Sequence, residues 1–135
     1  MQIESPTLSS AAKVLAFAAV AEVGTGLAAM IVPAAVVQLL LGLDVSAEGA
    51  VLTRCFGVAV LALGIACLPN RRSGNVDSAA LRAMLIYNAL IASYLSYLGG
   101  LVHLAGVLLW PGAALHAIVV AMLLLTRRDA PRGDR

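Results

Sequence analysis

Charged residues are scarce in this 135-residue sequence, since they make up 12% of it, whereas ordinary globular proteins carry about 25%. Hydrophobic residues make up 61%, which is more apolar surface than a soluble fold of this length can bury. We therefore expect one domain that is partly solvated by lipid, which makes the bilayer its first partner. The net charge of +2 is too small to argue for nucleic acid as a partner.

Cysteine is also scarce, with only Cys55 and Cys67 in the chain. On one helix these two residues would lie about 18 Å apart, too far for a disulfide within the chain. The sequence contains no CxxC motif and no spacing typical of metal ligands, so it predicts neither a metal site nor a bound cofactor.

A cleavable signal peptide is not indicated either. No basic residue precedes Lys13, and the first apolar segment is too long for the hydrophobic region of such a peptide. We therefore interpret this segment as a retained spanning helix.

Four apolar segments are long enough to cross a bilayer, whose hydrocarbon core of about 30 Å requires about 20 helical residues. They cover residues 11–32, 48–68, 79–98 and 102–126. The shorter apolar segment 34–43 would make the first helix too long for the membrane, so we interpret it as a short interfacial or re-entrant helix. The sequence predicts an all-α fold, a bundle of four transmembrane helices with a short helix between the first two. Pro111 is expected to bend the fourth helix, either opening a pocket or merely accommodating packing.

Basic residues predict the orientation of the bundle. Seven of the nine Lys and Arg residues lie around the polar loop 70–78 or after the fourth segment, namely Arg71, Arg72, Arg82, Arg127, Arg128, Arg132 and Arg135. Both groups fall on one side of a four-helix protein, and the loops on the other side contain no Lys or Arg. The positive-inside rule makes the first side cytoplasmic, with both termini on it. The tail 129–135 is predicted to be disordered.

Polar side chains near the middle of the four segments are the candidate site. Glu22 is expected near the bilayer midplane, where an ionisable group costs about 2.5 kcal/mol or more unless it is paired or neutralised. Asn88 and His116 are expected at a similar depth in the membrane. Arg54 lies closer to the surface, but its long side chain could reach the same depth. The predicted ligand-binding residues are Glu22, Arg54, Asn88, Tyr94 and His116, with Tyr87 as an alternative to Tyr94.

Three functions are compatible with such a cluster. It could bind or transport a small lipophilic or anionic ligand, with Glu22 as the titrating group. It could be an intramembrane enzyme acting on a lipid or quinone, with Glu22 and His116 as acid and base. It could instead fix helix register or assembly in a structural subunit, and small residues at Gly57 and Gly64 would then suit a homo-oligomer. We expect binding or transport.

Four stretches of the chain resemble the DoxX-like group of small bacterial membrane proteins. Two of them are GLAAMIVP at 26–33 and RCFGVAVLALG at 54–64. The other two resemble an uncharacterised branch of the group, and they are YNALIASYLSYLG at 87–99 and LLWPGAALHAIVVAMLL at 108–124. The resemblance implies a four-helix protein of the bacterial inner membrane. Some DoxX-like proteins are linked with quinone or thiol oxidation, but this chain lacks a CxxC motif.

A second, local resemblance involves AEVGTGL at 21–27. It is similar to the first helix of small multidrug-resistance exporters, whose glutamate binds protons and cationic drugs. Only that helix matches. Those exporters lack the segment 34–43, and Arg54 would oppose a cationic substrate.

Overall fold

A computed structural model of the chain describes residues 9–69 and 77–128. This part of the chain contains five helices and no strand: α1 Ser10–Ile31, α2 Pro33–Leu41, α3 Ala47–Ala66, α4 Ser78–Gly100 and α5 Leu109–Arg128. Helices α1, α3, α4 and α5 are long and apolar enough to cross a membrane. The predicted all-α fold, with four spanning helices and a short helix after the first, is confirmed.

Side-chain caps and a proline define where several helices begin. Ser9 accepts a hydrogen bond from the Ala12 amide, and Ser46 accepts one from the Gly49 amide. Such caps satisfy backbone donors that have no partner inside the helix. Pro33 separates α1 from α2, because it lacks the amide hydrogen needed to continue α1.

Glycines bring α1 and α3 into close backbone contact. A Cβ atom on Gly26 would lie 2.6 Å from the Leu61 nitrogen, and one on Gly64 would lie 2.8 Å from the Ala19 oxygen. Small residues at such positions let helix backbones approach closely. Gly57 also faces α1, so the Gly57 and Gly64 surface packs within the chain. It therefore gives no support to the homo-oligomer that these two glycines would have suited.

Helices α4 and α5 form the second pair, and α1 packs against both. The hydrophobic core joins the pairs at the end of the bundle where α1 begins. Its buried members are Val14, Leu15, Ala18, Ala19, Cys67, Leu81, Met84, Val119 and Leu123. Large apolar side chains face outward around the bundle, including Leu52 on α3, Leu90 on α4 and Ile118 on α5. This surface is compatible with contact to bilayer lipid.

Helix α2 and residues 101–108 close the opposite end of the bundle, which we call the α2 end. The Leu108 amide donates to the Leu39 carbonyl oxygen over 2.8 Å. A Cβ atom on Gly106 would overlap the Leu40 backbone, so the loop lies directly on α2. Gly42 ends α2 in the left-handed region, with φ of 72°, which favours glycine.

The fourth span begins later than the sequence predicted. Residues 101–108 are not helical, α4 continues through Gly100, and α5 begins at Leu109. Pro111 therefore lies in the first turn of α5, where a backbone amide has no intrahelical acceptor and proline is tolerated. The predicted bend at Pro111 is therefore wrong, because no helical turn of the span precedes this proline. The pocket that was one of its two expected consequences loses its basis.

Most residues that carry the orientation prediction lie outside the described part of the chain. This applies to residues 70–76 of the polar loop and to the tail 129–135. The cytoplasmic side and the disordered tail therefore stay predictions. Arg82 is described, and its Nε donates to the Ser78 oxygen at the start of α4.

Candidate functional site

Three of the five predicted site residues meet inside the bundle. The Nδ1 atom of His116 lies 2.7 Å from Oδ1 of Asn88 and 3.8 Å from Oε1 of Glu22. The side chains come from α5, α4 and α1, and each lies near the middle of its helix. Glu22 is about 18 Å along α1 and Asn88 about 15 Å along α4 by helical rise. We call Glu22, Asn88 and His116 the polar cluster.

The hydrogen bonds of Asn88 assign the proton on His116. The Asn88 Nδ2 donates to the Met84 oxygen over 2.9 Å, so the amide oxygen faces the imidazole. Because that oxygen can only accept, the His116 Nδ1 carries the hydrogen and donates it. Nε2 is then the nitrogen that can accept a proton. Asn88 thus fixes both the tautomer and the orientation of the ring.

Glu22 is the least satisfied member of the polar cluster. Its side chain is 3% exposed, and Oε2 is buried with no hydrogen-bond partner among the described residues. The Tyr87 hydroxyl lies near the carboxyl group. The Tyr87 ring also packs edge-on against His116, with ring centroids 6.1 Å apart. Tyr87, which the sequence offered only as an alternative, is therefore the tyrosine at this site.

Tyr94 does not reach the polar cluster. It is 58% exposed and stacks on Tyr97, with ring centroids 6.3 Å apart. It lies two helical turns beyond Tyr87, or about 10 Å closer to the α2 end. Both tyrosines lie on nearly the same face of α4. The position of Glu22 along the length of the bundle therefore determines which of the two tyrosines it contacts.

Arg54 also lies apart from Glu22. Its side chain is exposed, and its Nε donates to the Met30 oxygen in the last turn of α1 over 3.2 Å. The break at Pro33 leaves carbonyl oxygens at this helix end without intrahelical donors, and a cation there also suits the helix dipole. The Arg54 side chain therefore extends toward the α2 end instead of the bundle centre.

The packing around the polar cluster leaves little access from outside. Asn88 is 1% exposed, and His116 is the most exposed member at 16%. Buried small residues of α1 and α5 lie one turn away, including Ala18, Gly26 and Ala113. A proton can pass between groups this close after a small rearrangement, whereas a larger molecule would require the helices to move.

The chemistry available at the site is that of a carboxyl group, an imidazole, a carboxamide and a phenol. Within residues 9–69 and 77–128, no three His, Cys, Asp or Glu side chains are grouped closely enough to hold a metal ion. Comparisons of the chain with protein-family models, with curated proteins and with solved structures gave no match.

Proposed function

We propose that this protein binds a small or lipophilic ligand or transports it across the membrane. The polar cluster would bind the proton that is coupled to binding or transport of the ligand. The observation that carries the proposal is the buried Oε2 atom of Glu22, which has no hydrogen-bond partner among the described residues. A carboxylate in this position is costly unless a proton or a nearby cation neutralises it.

Two protonation changes can neutralise the polar cluster. A proton on Glu22 removes its charge, and a proton on Nε2 of His116 gives a cation whose Nδ1 lies 3.8 Å from Oε1. The two states need different neighbours, because a neutral carboxyl group donates a hydrogen bond and a carboxylate only accepts them. Helix packing around the site would respond to such a change, and this response is how a proton could be coupled to ligand movement.

The proposed test replaces Glu22 with Gln, which removes the ionisable group and preserves the shape of the side chain. Glu48→Gln is the matched control, because it makes the same chemical change at an exposed residue in the first turn of α3. Proteoliposomes containing a pH-sensitive dye report proton uptake after a potassium diffusion potential is imposed. We expect wild type and Glu48→Gln to take up protons, and Glu22→Gln to lose at least nine-tenths of the rate.

Infrared spectroscopy adds a readout that does not depend on transport. The stretching band of a buried protonated carboxyl group should appear and disappear with pH in wild type and in Glu48→Gln, and should be missing in Glu22→Gln. If Glu22→Gln retained both the band and the proton flux, the proposal would be wrong. If the polar cluster only fixes helix register, wild type will show neither proton uptake nor a pH-dependent band.

The location of the protein and its relationships belong to the same proposal. We propose that it resides in the bacterial inner membrane, as the resemblance to the DoxX-like group implies. We also propose that both termini lie in the cytoplasm, on the basis of the arginine distribution. Membership of the DoxX-like group stays a prediction, supported by the four short stretches described above. An intramembrane enzyme acting on a lipid or quinone would also use Glu22 and His116, and product formation dependent on His116 would favour it.

A further inference from the structure

A groove at the α2 end lies apart from the polar cluster and shares no residue with it. It has a volume of about 490 Å³ and lies between the α1–α2 junction and the start of α3. Most of its lining is apolar, as at Pro33, Ala34, Val45 and Ala50, and Arg54 is the charged residue among the lining side chains. The volume falls within the range of about 300–1,000 Å³ that is typical of small-molecule sites.

The guanidinium group of Arg54 has N–H donors available to a ligand in the groove. Its Nε is used by the Met30 oxygen, whereas a guanidinium group carries five N–H donors in total. Among the described residues, no carboxylate lies within salt-bridge distance of it. Asp44 and Glu48 belong to the same end of the bundle but do not line the groove.

If α3 spans a bilayer, the outward reach of the Arg54 side chain is expected to bring its guanidinium group toward the boundary between lipid headgroups and acyl chains. The residue lies about 10 Å inside the start of α3 by helical rise, and its side chain extends outward to the end of α1. An arginine held there beside an apolar groove is complementary to a ligand with an anionic head and an apolar tail. Arginine also matches phosphate geometry, because its planar donors can bind two oxygens at once.

We propose that this groove binds an anionic phospholipid, with the phosphate on Arg54 and an acyl chain against the apolar lining. This site does not depend on the proton chemistry of the polar cluster. The bound lipid would bridge the α1–α2 junction and α3, and would complete the surface of the bundle where it meets the headgroups.

The test measures lipid retained by the purified protein. Delipidated protein in detergent is titrated with phosphatidylglycerol or phosphatidylcholine, and native mass spectrometry counts the bound lipid. Arg54→Gln is compared with Arg82→Gln, which removes the same charge from an exposed arginine at the start of α4. We expect wild type and Arg82→Gln to prefer phosphatidylglycerol, and Arg54→Gln to bind it about tenfold more weakly.

A second variant is needed in case Arg54→Gln unfolds because it loses the hydrogen bond to the Met30 oxygen at the end of α1. Ala34→Trp keeps Arg54 and fills the groove from an exposed lining position, so it should reduce phosphatidylglycerol binding while helicity by circular dichroism stays unchanged. Equal binding of the two lipids by wild type would overturn the proposal. So would full retention of phosphatidylglycerol by a folded Arg54→Gln or Ala34→Trp protein.

Discussion

Replacement of Gly26 by alanine should separate α1 from α3. The added Cβ atom would lie 2.6 Å from the Leu61 nitrogen and 2.8 Å from the Gly57 oxygen, whereas ordinary contacts begin at 3.4 Å. Both obstacles are backbone atoms, so no side chain can rotate away. The two helices must therefore move apart by about 0.8 Å at this point, and overpacking of this kind costs about 1–3 kcal/mol.

Gly24→Ala provides a matched control on the same helix. A Cβ atom on Gly24 would meet nothing within 4 Å, because that face of α1 is exposed. Alanine in place of glycine inside a helix contributes about 0.5–1 kcal/mol through lower backbone entropy. Both variants gain this contribution, but only Gly26→Ala also bears the cost of the contact with α3. The difference in stability between the two variants should therefore be about 1–3 kcal/mol.

The measurement is the free energy of unfolding in mixed micelles, obtained by titration with a denaturing detergent and followed by far-ultraviolet circular dichroism. We expect Gly24→Ala to unfold at a higher detergent fraction than wild type, and Gly26→Ala at a lower one. If the two variants unfolded at the same detergent fraction, α1 and α3 would not pack as closely as described. The reasoning about their shared glycine surface would then be refuted.

Two further predictions concern the ends of the bundle. Gly106→Ala should destabilise the protein through overlap with α2, whereas Gly100→Ala should not, because a Cβ atom there meets nothing within 4 Å; thermal unfolding of both variants checks this. Burial, with a smaller contribution from the negative charge of Asp77, raises the pKa of the Cys67 thiol above its ordinary value. Less thiolate is then present at neutral pH, so alkylation of Cys67 should be slow in the folded protein, speed up as the pH rises, and become fast after denaturation. Mass spectrometry measures the labelling, and equal rates in folded and denatured protein would contradict the burial of this thiol.

The sequence was sufficient to predict the four spanning helices, because the thickness of a bilayer sets the length of apolar helix that crosses it. It also placed Glu22, Asn88 and His116 at one depth, and these three side chains do meet. The start of α5 was predicted seven residues too early, at residue 102 instead of Leu109. Residues 102–108 are nearly all apolar, and hydropathy does not separate an apolar loop packed on α2 from a helix.

Arg54 was misplaced for a different reason. Its depth on α3 was compatible with a reach toward Glu22, and the sequence could not predict that its side chain would extend the other way. That direction depends on the Met30 oxygen at the end of α1, which faces Arg54 only after α1 and α3 have packed. The choice between Tyr87 and Tyr94 had the same limit, because it depends on how α4 is positioned along α1.

The pairing of α1 with α3 and of α4 with α5 has a consequence for synthesis of the protein. Glu22 belongs to the pair that the ribosome makes first, but its neighbours Tyr87, Asn88 and His116 belong to the second. A nascent chain that has released only its first two spans carries a carboxyl group without those neighbours. We therefore expect the first two spans to remain associated with the insertion machinery until α4 and α5 have been synthesised.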